Sequence, residues 1–176
     1  MLKKDDLVKQ MIDYVVNVLE EKRPEFSGFS VCPFVKSDRV ADELHLDIFD
    51  NTKDTLLDVF KRFKQSGKRS ALVAQVNENI ESHETDMYQD FINCVLQESG
   101  NSNIAALCFN PNDKLEIDSY NPRSRAPCFL INMAYTKHLS AAHNSLLRTN
   151  YYDKMPKKYT DYLRITKKLN KSENTN

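Results

Sequence analysis

Apolar residues recur at helical spacing through Leu7, Val8, Met11, Ile12, Val15, Val16 and Leu19, with Asp5 and Asp6 ahead of them and Pro24 behind. The spacing predicts an amphipathic first helix opened by acids and stopped by proline. Residues 25–42, EFSGFSVCPFVKSDRVAD, lose that period and carry Gly28 and Pro33, so they read as an irregular segment with aromatic anchors. The period then changes to two: Leu44, Leu46 and Ile48 alternate with Glu43, His45 and Asp47, the pattern of a strand covered on one side. Asn51 and Thr52 open a helix bearing Leu56, Val59, Phe60 and Phe63 that ends near Gly67. ALVAQV follows as a largely buried strand. Ser82 caps a helix with Tyr88, Phe91, Ile92 and Val95, stopped by Gly100, and IAALCF at 104–109 makes a third strand.

Strand, helix, strand, helix, strand with short joints is the signature of right-handed crossovers, which predicts three parallel neighbouring strands in an α/β fold. Asn110-Pro111-Asn112-Asp113 is a turn, and the alternation of Leu115 and Ile117 leaves room for an antiparallel fourth strand beside the third. Pro127 suits the first turn of another helix, whose stripe would run Ile131, Tyr135, His138, Ala142 and Leu146. The expected organisation is a single α/β domain over 1–153, with additional N- and C-terminal helices. A basic extension over 154–176 follows, fraying at its end.

A chain of 176 residues supports one core, and the balance of 25 Lys plus Arg against 25 Asp plus Glu removes any global attraction to polyanions. Nucleic acid is therefore a poor fit as partner, although Lys154, Lys157, Lys158, Arg164, Lys167, Lys168 and Lys171 cluster near Tyr159 and Tyr162. MLKKDDLVKQ has no apolar leader core and no stretch is long enough to span a bilayer, so the expectation is a cytoplasmic protein without a membrane partner. Cys32, Cys94, Cys108 and Cys128 show no CxxC spacing, which predicts free thiols and no structural zinc. Glu43, His45 and Asp47 share a face, but charge guarding an exposed strand accounts for them better than a metal. Gly67-Lys68-Arg69-Ser70 lacks the leading glycine and the strand-to-helix order of a phosphate loop. The sequence identifies no cofactor.

Ligands of open parallel sheets sit beyond the carboxyl ends of the strands, and the connection leaving the third strand there, residues 110–126, is unusually long. It ends in Arg123, Ser124 and Arg125, directly before the expected helix, with Tyr120 just upstream and Cys128 just after Pro127. Guanidinium forks and free amides at a helix N-terminus are an anion-binding arrangement. The competing structural reading has Ser124 as a helix cap and one arginine paired with a carboxylate of the domain. Cys32-Pro33-Phe34-Val35-Lys36 is the second candidate, in which Lys36 or a nearby arginine would lower the Cys32 pKa and make it a nucleophile. A packed corner explains the same residues. At a helix start Cys128 would also have a depressed pKa, and nothing in the spacing says whether it meets Cys32.

Both motifs resemble landmarks of domain-of-unknown-function family 1415, whose members carry a CPFAK-like motif after an N-terminal helix and later NRSPYP. Cys32, Pro33, Phe34 and Lys36 match the first; Tyr120, Arg123, Ser124 and Pro127 match the second, laid over SYNPRSRAP. The order agrees from about residue 10 to residue 150. Asn110-Pro111 stands where the family carries His-Pro, and Leu130 where its helix carries a histidine, so the likeness implies a shared fold and no particular reaction.

Two functions are thus expected. In the first, a phosphorylated or carboxylated small molecule binds through Arg123, Arg125, Ser124, Tyr120 and Cys128, with Cys32 and Lys36 supplying thiol-assisted chemistry. In the second, the chain is a non-catalytic interaction module, a regulator or inhibitor, whose arginines and tyrosines contact a protein partner.

Overall fold

A computed structural model describes residues 4–76, 79–114, 117 and 119–155. The first helix, α1, spans Lys4–Tyr14 and ends in a π-turn at Val15–Leu19. The irregular segment contains a short helix, α2, at Val35–Val40. Strand β1 (Leu44–Asp50), helix α3 (Leu56–Ser66), strand β2 (Ser70–Val76), helix α4 (Thr85–Glu98) and strand β3 (Ile104–Phe109) follow in the expected order. Strand β4 covers Phe129–Tyr135, and α5 covers Thr136–Leu146. Together they make one α/β domain around a mixed four-stranded sheet.

Local chemistry places the helix ends a few residues from where the pattern put them. Thr55, not Asn51 or Thr52, caps α3: its hydroxyl accepts the Asp58 amide at 3.3 Å while Asp58 accepts the Thr55 amide at 2.9 Å. Glu81, not Ser82, opens a single 3₁₀ turn leading into α4, through a reciprocal pairing with Glu84.

The sheet order is β1-β2-β4-β3. β1 and β2 are parallel, and β4 runs antiparallel to both β2 and β3. The three expected strands therefore do point the same way, but β3 is not the neighbour of β2. The fourth strand wedges between them, pairing Val73 with Ile131 on one side and Cys108 with Ile131 on the other.

This overturns the expected helix from Pro127. FLINMAY is buried on both faces, and a fully buried strand shows a continuous apolar run that periodicity cannot distinguish from helix. Only the second half of the stripe, from His138 to Leu146, is helical. The antiparallel strand exists, yet it is built from Phe129–Tyr135 rather than from the Leu115–Ile117 stretch. Ile117 makes a single bridge to Tyr120, and Leu115 lies outside the described residues. The basic residues from Lys157 onward also lie outside them.

Alternation sends side chains to two cores. Ala71, Val73, Phe129, Ile131 and Met133 meet Phe60, Phe63 and Ile92 of α3 and α4 on one face. Leu72, Ala74 and Leu130 meet Met11, Tyr14 and Val15 of α1 on the other. Each large apolar side chain buried here contributes about 1.5–3 kcal/mol. Because α3 covers its face of β1, that strand is not covered on one side only: Asp47 is buried and binds Arg62 at 2.7 Å. β1 is an edge strand, and of its charged face Asp47 alone is buried, paired with the partly exposed Arg62, while Glu43 and His45 remain partly exposed.

Candidate functional site

The connection from β3 to β4 is built by two asparagines. Asn110 is buried, and its amide donates to the Ile80 carbonyl at 2.8 Å and the Thr85 hydroxyl at 2.9 Å, tying the end of β3 to the start of α4. Its carbonyl oxygen accepts the Asn112 amide at 2.9 Å, which makes the turn. Asn121 repeats the device: its side-chain oxygen accepts the backbone amides of Arg123 at 3.0 Å and Ser124 at 3.2 Å. The Ser124 hydroxyl donates to the Asn121 carbonyl at 3.0 Å.

Arg123–Arg125 form one 3₁₀ turn, and the strand, not a helix, follows. There is thus no macrodipole at Arg123, Ser124, Arg125 or Cys128. The amides of Arg123 and Ser124, expected to be free for an anion, are spent on Asn121, and Ser124 lies within the turn, its hydroxyl returned to the Asn121 carbonyl, rather than capping a helix.

The arginines diverge. Arg123 is buried and its guanidinium lies 2.8 Å from Asp113. Arg125 is half-exposed, 3.7 Å from Glu21 and 3.4 Å from the Tyr120 hydroxyl. Arg23 stacks on the Tyr120 ring at 4.1 Å and pairs with Glu21 at 3.3 Å and Glu25 at 3.2 Å. Tyr120 itself is buried between Arg23 and the edge of Phe26. Every arginine of this cluster has a carboxylate partner from its own chain.

Cys32 lies on the same face as α1, packed against the cluster that holds Met11, Tyr14 and Leu130, and Cys128 packs against that cluster too. Tyr14 joins the two motifs. Its hydroxyl donates to the Pro122 carbonyl at 3.1 Å, and it lies within electrostatic reach of Tyr120, Arg123, Cys32 and Arg125. Burial, reinforced by Tyr120, drives its pKa well above the ordinary tyrosine value.

The thiols behave as packed groups. Burial pushes the Cys32 thiol up, offset in part by the backbone of Val35 and Phe34 and reinforced by Asp38. Lys36 is exposed and is not among the groups acting on that sulfur. Burial pushes Cys128 up to about 11, the reverse of the depression expected at a helix start. All four cysteines are free, and Cys94 alone is exposed.

Sequence reasoning missed Tyr14, Asn121, Glu21 and Arg23. Tyr14 lies within the first helix but outside the apolar stripe that predicts it, and nothing in the pattern marks its hydroxyl as a donor to the Pro122 carbonyl. It also missed a buried polar group at the other end of this face. Asp38 accepts the Ser70 hydroxyl at 2.7 Å, with His138 at 3.4 Å and Arg69 at 4.0 Å.

A groove of about 420 Å³ between α3 and the end of α4, lined by Leu57, Lys61, Lys64 and Asn101, lies on the opposite face of the sheet. Among the described residues no group of three or more His, Cys, Asp or Glu side chains is arranged to hold a metal ion, and no helix is long and apolar enough to cross a membrane. The chain matches no protein-family model, no curated protein and no solved structure.

Proposed function

We propose that this chain is a non-catalytic interaction module of the cytoplasm that contacts a protein partner through exposed side chains on both faces of its sheet. One observation carries the reading: Arg23, Arg123 and Arg125 are each held by an intramolecular carboxylate, so the cluster has no uncompensated positive charge to offer a small anion. Arg23, stacked on Tyr120, paired with two carboxylates and still partly exposed, resembles an interface residue, since arginine is enriched at hot spots and a pre-ordered side chain loses less entropy on binding, and the more exposed Arg125 lies beside it. On the other face, Met87 and Phe91 stand exposed one turn apart on α4, with exposed Cys94 further along the same side. The four free thiols are in keeping with a reducing compartment.

A small phosphorylated or carboxylated ligand would need to displace Glu21 from Arg125 before it could bind there. Thermal melting in a titration of inorganic phosphate and of small carboxylates separates the readings. The interaction module gives no saturable rise in Tm, because nothing in the folded state prefers the anion. A saturable rise that disappears in Arg125→Ala returns the small-ligand function.

A further inference from the structure

The sheet ends in two edge strands, β1 and β3, and the chain treats them differently. The outward amides of β3 are all occupied. Ile104 donates to the Asn101 carbonyl at 2.9 Å, Ala106 to the Asn93 side-chain oxygen at 2.9 Å and Cys108 to the Gln89 side-chain oxygen at 2.9 Å. Asn93 returns its own amide to the Ala106 carbonyl at 3.0 Å. Side chains of α4 thus stand in for a neighbouring strand and close that edge to pairing.

The β1 edge is left open. The Ser70 amide donates to the Glu43 carbonyl at 3.2 Å, which sets the parallel ladder so that odd-numbered residues of β1 bond to β2. The amides and carbonyls of Leu44, Leu46 and Ile48 therefore point outward. Ile48 is capped from within: its amide donates to Asp47 at 2.8 Å and its carbonyl accepts from Arg62 at 3.3 Å. Among the described residues the outward backbone groups of Leu44 and Leu46 have no hydrogen-bond partner. The side chains of Leu44, Leu46 and Ile48 form a half-buried aliphatic row on the α1 face.

We propose that β1 is the docking edge for a second copy of this chain, two β1 strands pairing antiparallel about a two-fold axis at Leu46, so that the two four-stranded sheets become one. An unpaired backbone row beside an apolar stripe is a template for another strand, and a self-complementary edge closes as a two-fold dimer. Because side chains alternate, only registers that set even residues against even residues keep the aliphatic rows together. Charge chooses among these. An axis at Asp47 sets the two Asp47 carboxylates face to face, and an axis at His45 sets Glu43 against Asp47 of the partner subunit; like charges directly opposite destabilise a pair. An axis at Leu44 or Ile48 uses less of the strand. The axis at Leu46 places Leu46 on the partner's Leu46, Leu44 on the partner's Ile48, and the His45 imidazole opposite the partner's Asp47. Leu46 exchanges both backbone bonds with its counterpart, and the Ile48 amide turns from Asp47 to the partner's Leu44 carbonyl, which frees an Asp47 oxygen for the imidazole facing it. This inference goes beyond the interaction-module reading: α4, with Met87 and Phe91, packs on β3 at the far edge and stays open in the dimer.

The test combines sedimentation equilibrium of the full chain over a dilution series with residue-resolved amide exchange on the same samples. The expected mass rises with concentration from 20.4 kDa toward twice that value. Exchange at Leu44 and Leu46 should slow about tenfold or more in the dimer, with Ala106 on β3 unchanged. Leu46→Lys, which plants a charge at the axis, must hold the chain at the monomer mass, while Phe91→Lys on α4 must leave the dimer intact. His45→Asp, a change at a half-exposed position that sets carboxylates opposite each other, must weaken association if Leu46→Lys does not fold. Three results overturn the proposal: a single 20.4 kDa species throughout, a dimer whose formation leaves exchange at Leu44 and Leu46 unchanged, or a dimer that Phe91→Lys dissolves. The first of these defeats the self-pairing alone and leaves the interaction module standing.

Discussion

Arg123 donates to Asp113 at 2.8 Å across the β3–β4 connection, and both side chains are nearly closed off from solvent. The pair is a clasp. It fixes the end of the loop to its beginning, while Asn121 takes up the amides of Arg123 and Ser124. A buried charge left without its partner is costly, whereas an exposed pair contributes little. Arg123→Ala should therefore destabilise the fold by about 3 kcal/mol, and Arg125→Ala by less than about 1 kcal/mol, as read from urea unfolding midpoints.

Asn110 makes the second polar tie of this connection, and its replacement strands the Ile80 carbonyl and the Thr85 hydroxyl in the core. Asn110→Ala should cost about 2 kcal/mol or more, since unmet buried hydrogen-bonding groups carry their full desolvation penalty. Amide exchange should quicken at the first turn of α4 and leave β1 protected.

Tyr14→Phe keeps the packing of α1 and deletes only the bond to the Pro122 carbonyl. The expected loss is about 1 kcal/mol, the usual net worth of such a bond. A melting curve identical to wild type would mean that α1 and the Arg123 loop are not coupled through this hydroxyl.

The thiols give a pH dependence with a definite sign. Burial pushes Cys108 up to about 12 and Cys128 to about 11 from an ordinary value of 9.0, so both stay neutral in the folded chain where unfolded thiols have already ionised. Their contribution to stability is whole below the unfolded value and declines as pH climbs through the alkaline range. The urea midpoint should fall between about pH 8 and pH 10, and fall less in Cys108→Val, which cannot ionise. A midpoint that rises over that interval would contradict the burial of these sulfurs.

How far the sequence discloses this molecule depends on what each signal encodes. Period marks which face of an element is apolar, so α1 is readable from Leu7 to Leu19, β1 from Leu44 to Ile48 and α3 from Leu56 to Phe63, whereas the short α2 inside residues 25–42 is not. Period carries no information when both faces are buried, and FLINMAY, lying between β2 and β3, was read as helix for that reason. The error propagated into chemistry, because the free amides at Arg123 and Ser124 followed only from the imagined helix. Partner identity is equally hidden: that Arg123 would find Asp113, ten residues upstream, and Arg125 would find Glu21, far away in sequence, is a product of the tertiary fold. The suspicion that one arginine pairs with a carboxylate was correct for Arg123. Spacing leaves open whether Cys32 and Cys128 share a face; in the structure both pack against the cluster that contains Tyr14, whose hydroxyl donates to the Pro122 carbonyl.

The account's central claim is that the arginine loop is closed by its own acids, and a double-mutant cycle on Arg123→Ala and Asp113→Ala measures that closure directly. The expected coupling is about 2 kcal/mol or more, with each single change costly and the second adding little. Coupling near zero, with Arg123→Ala alone costing almost nothing, would leave the guanidinium free for an outside ligand and contradict the account.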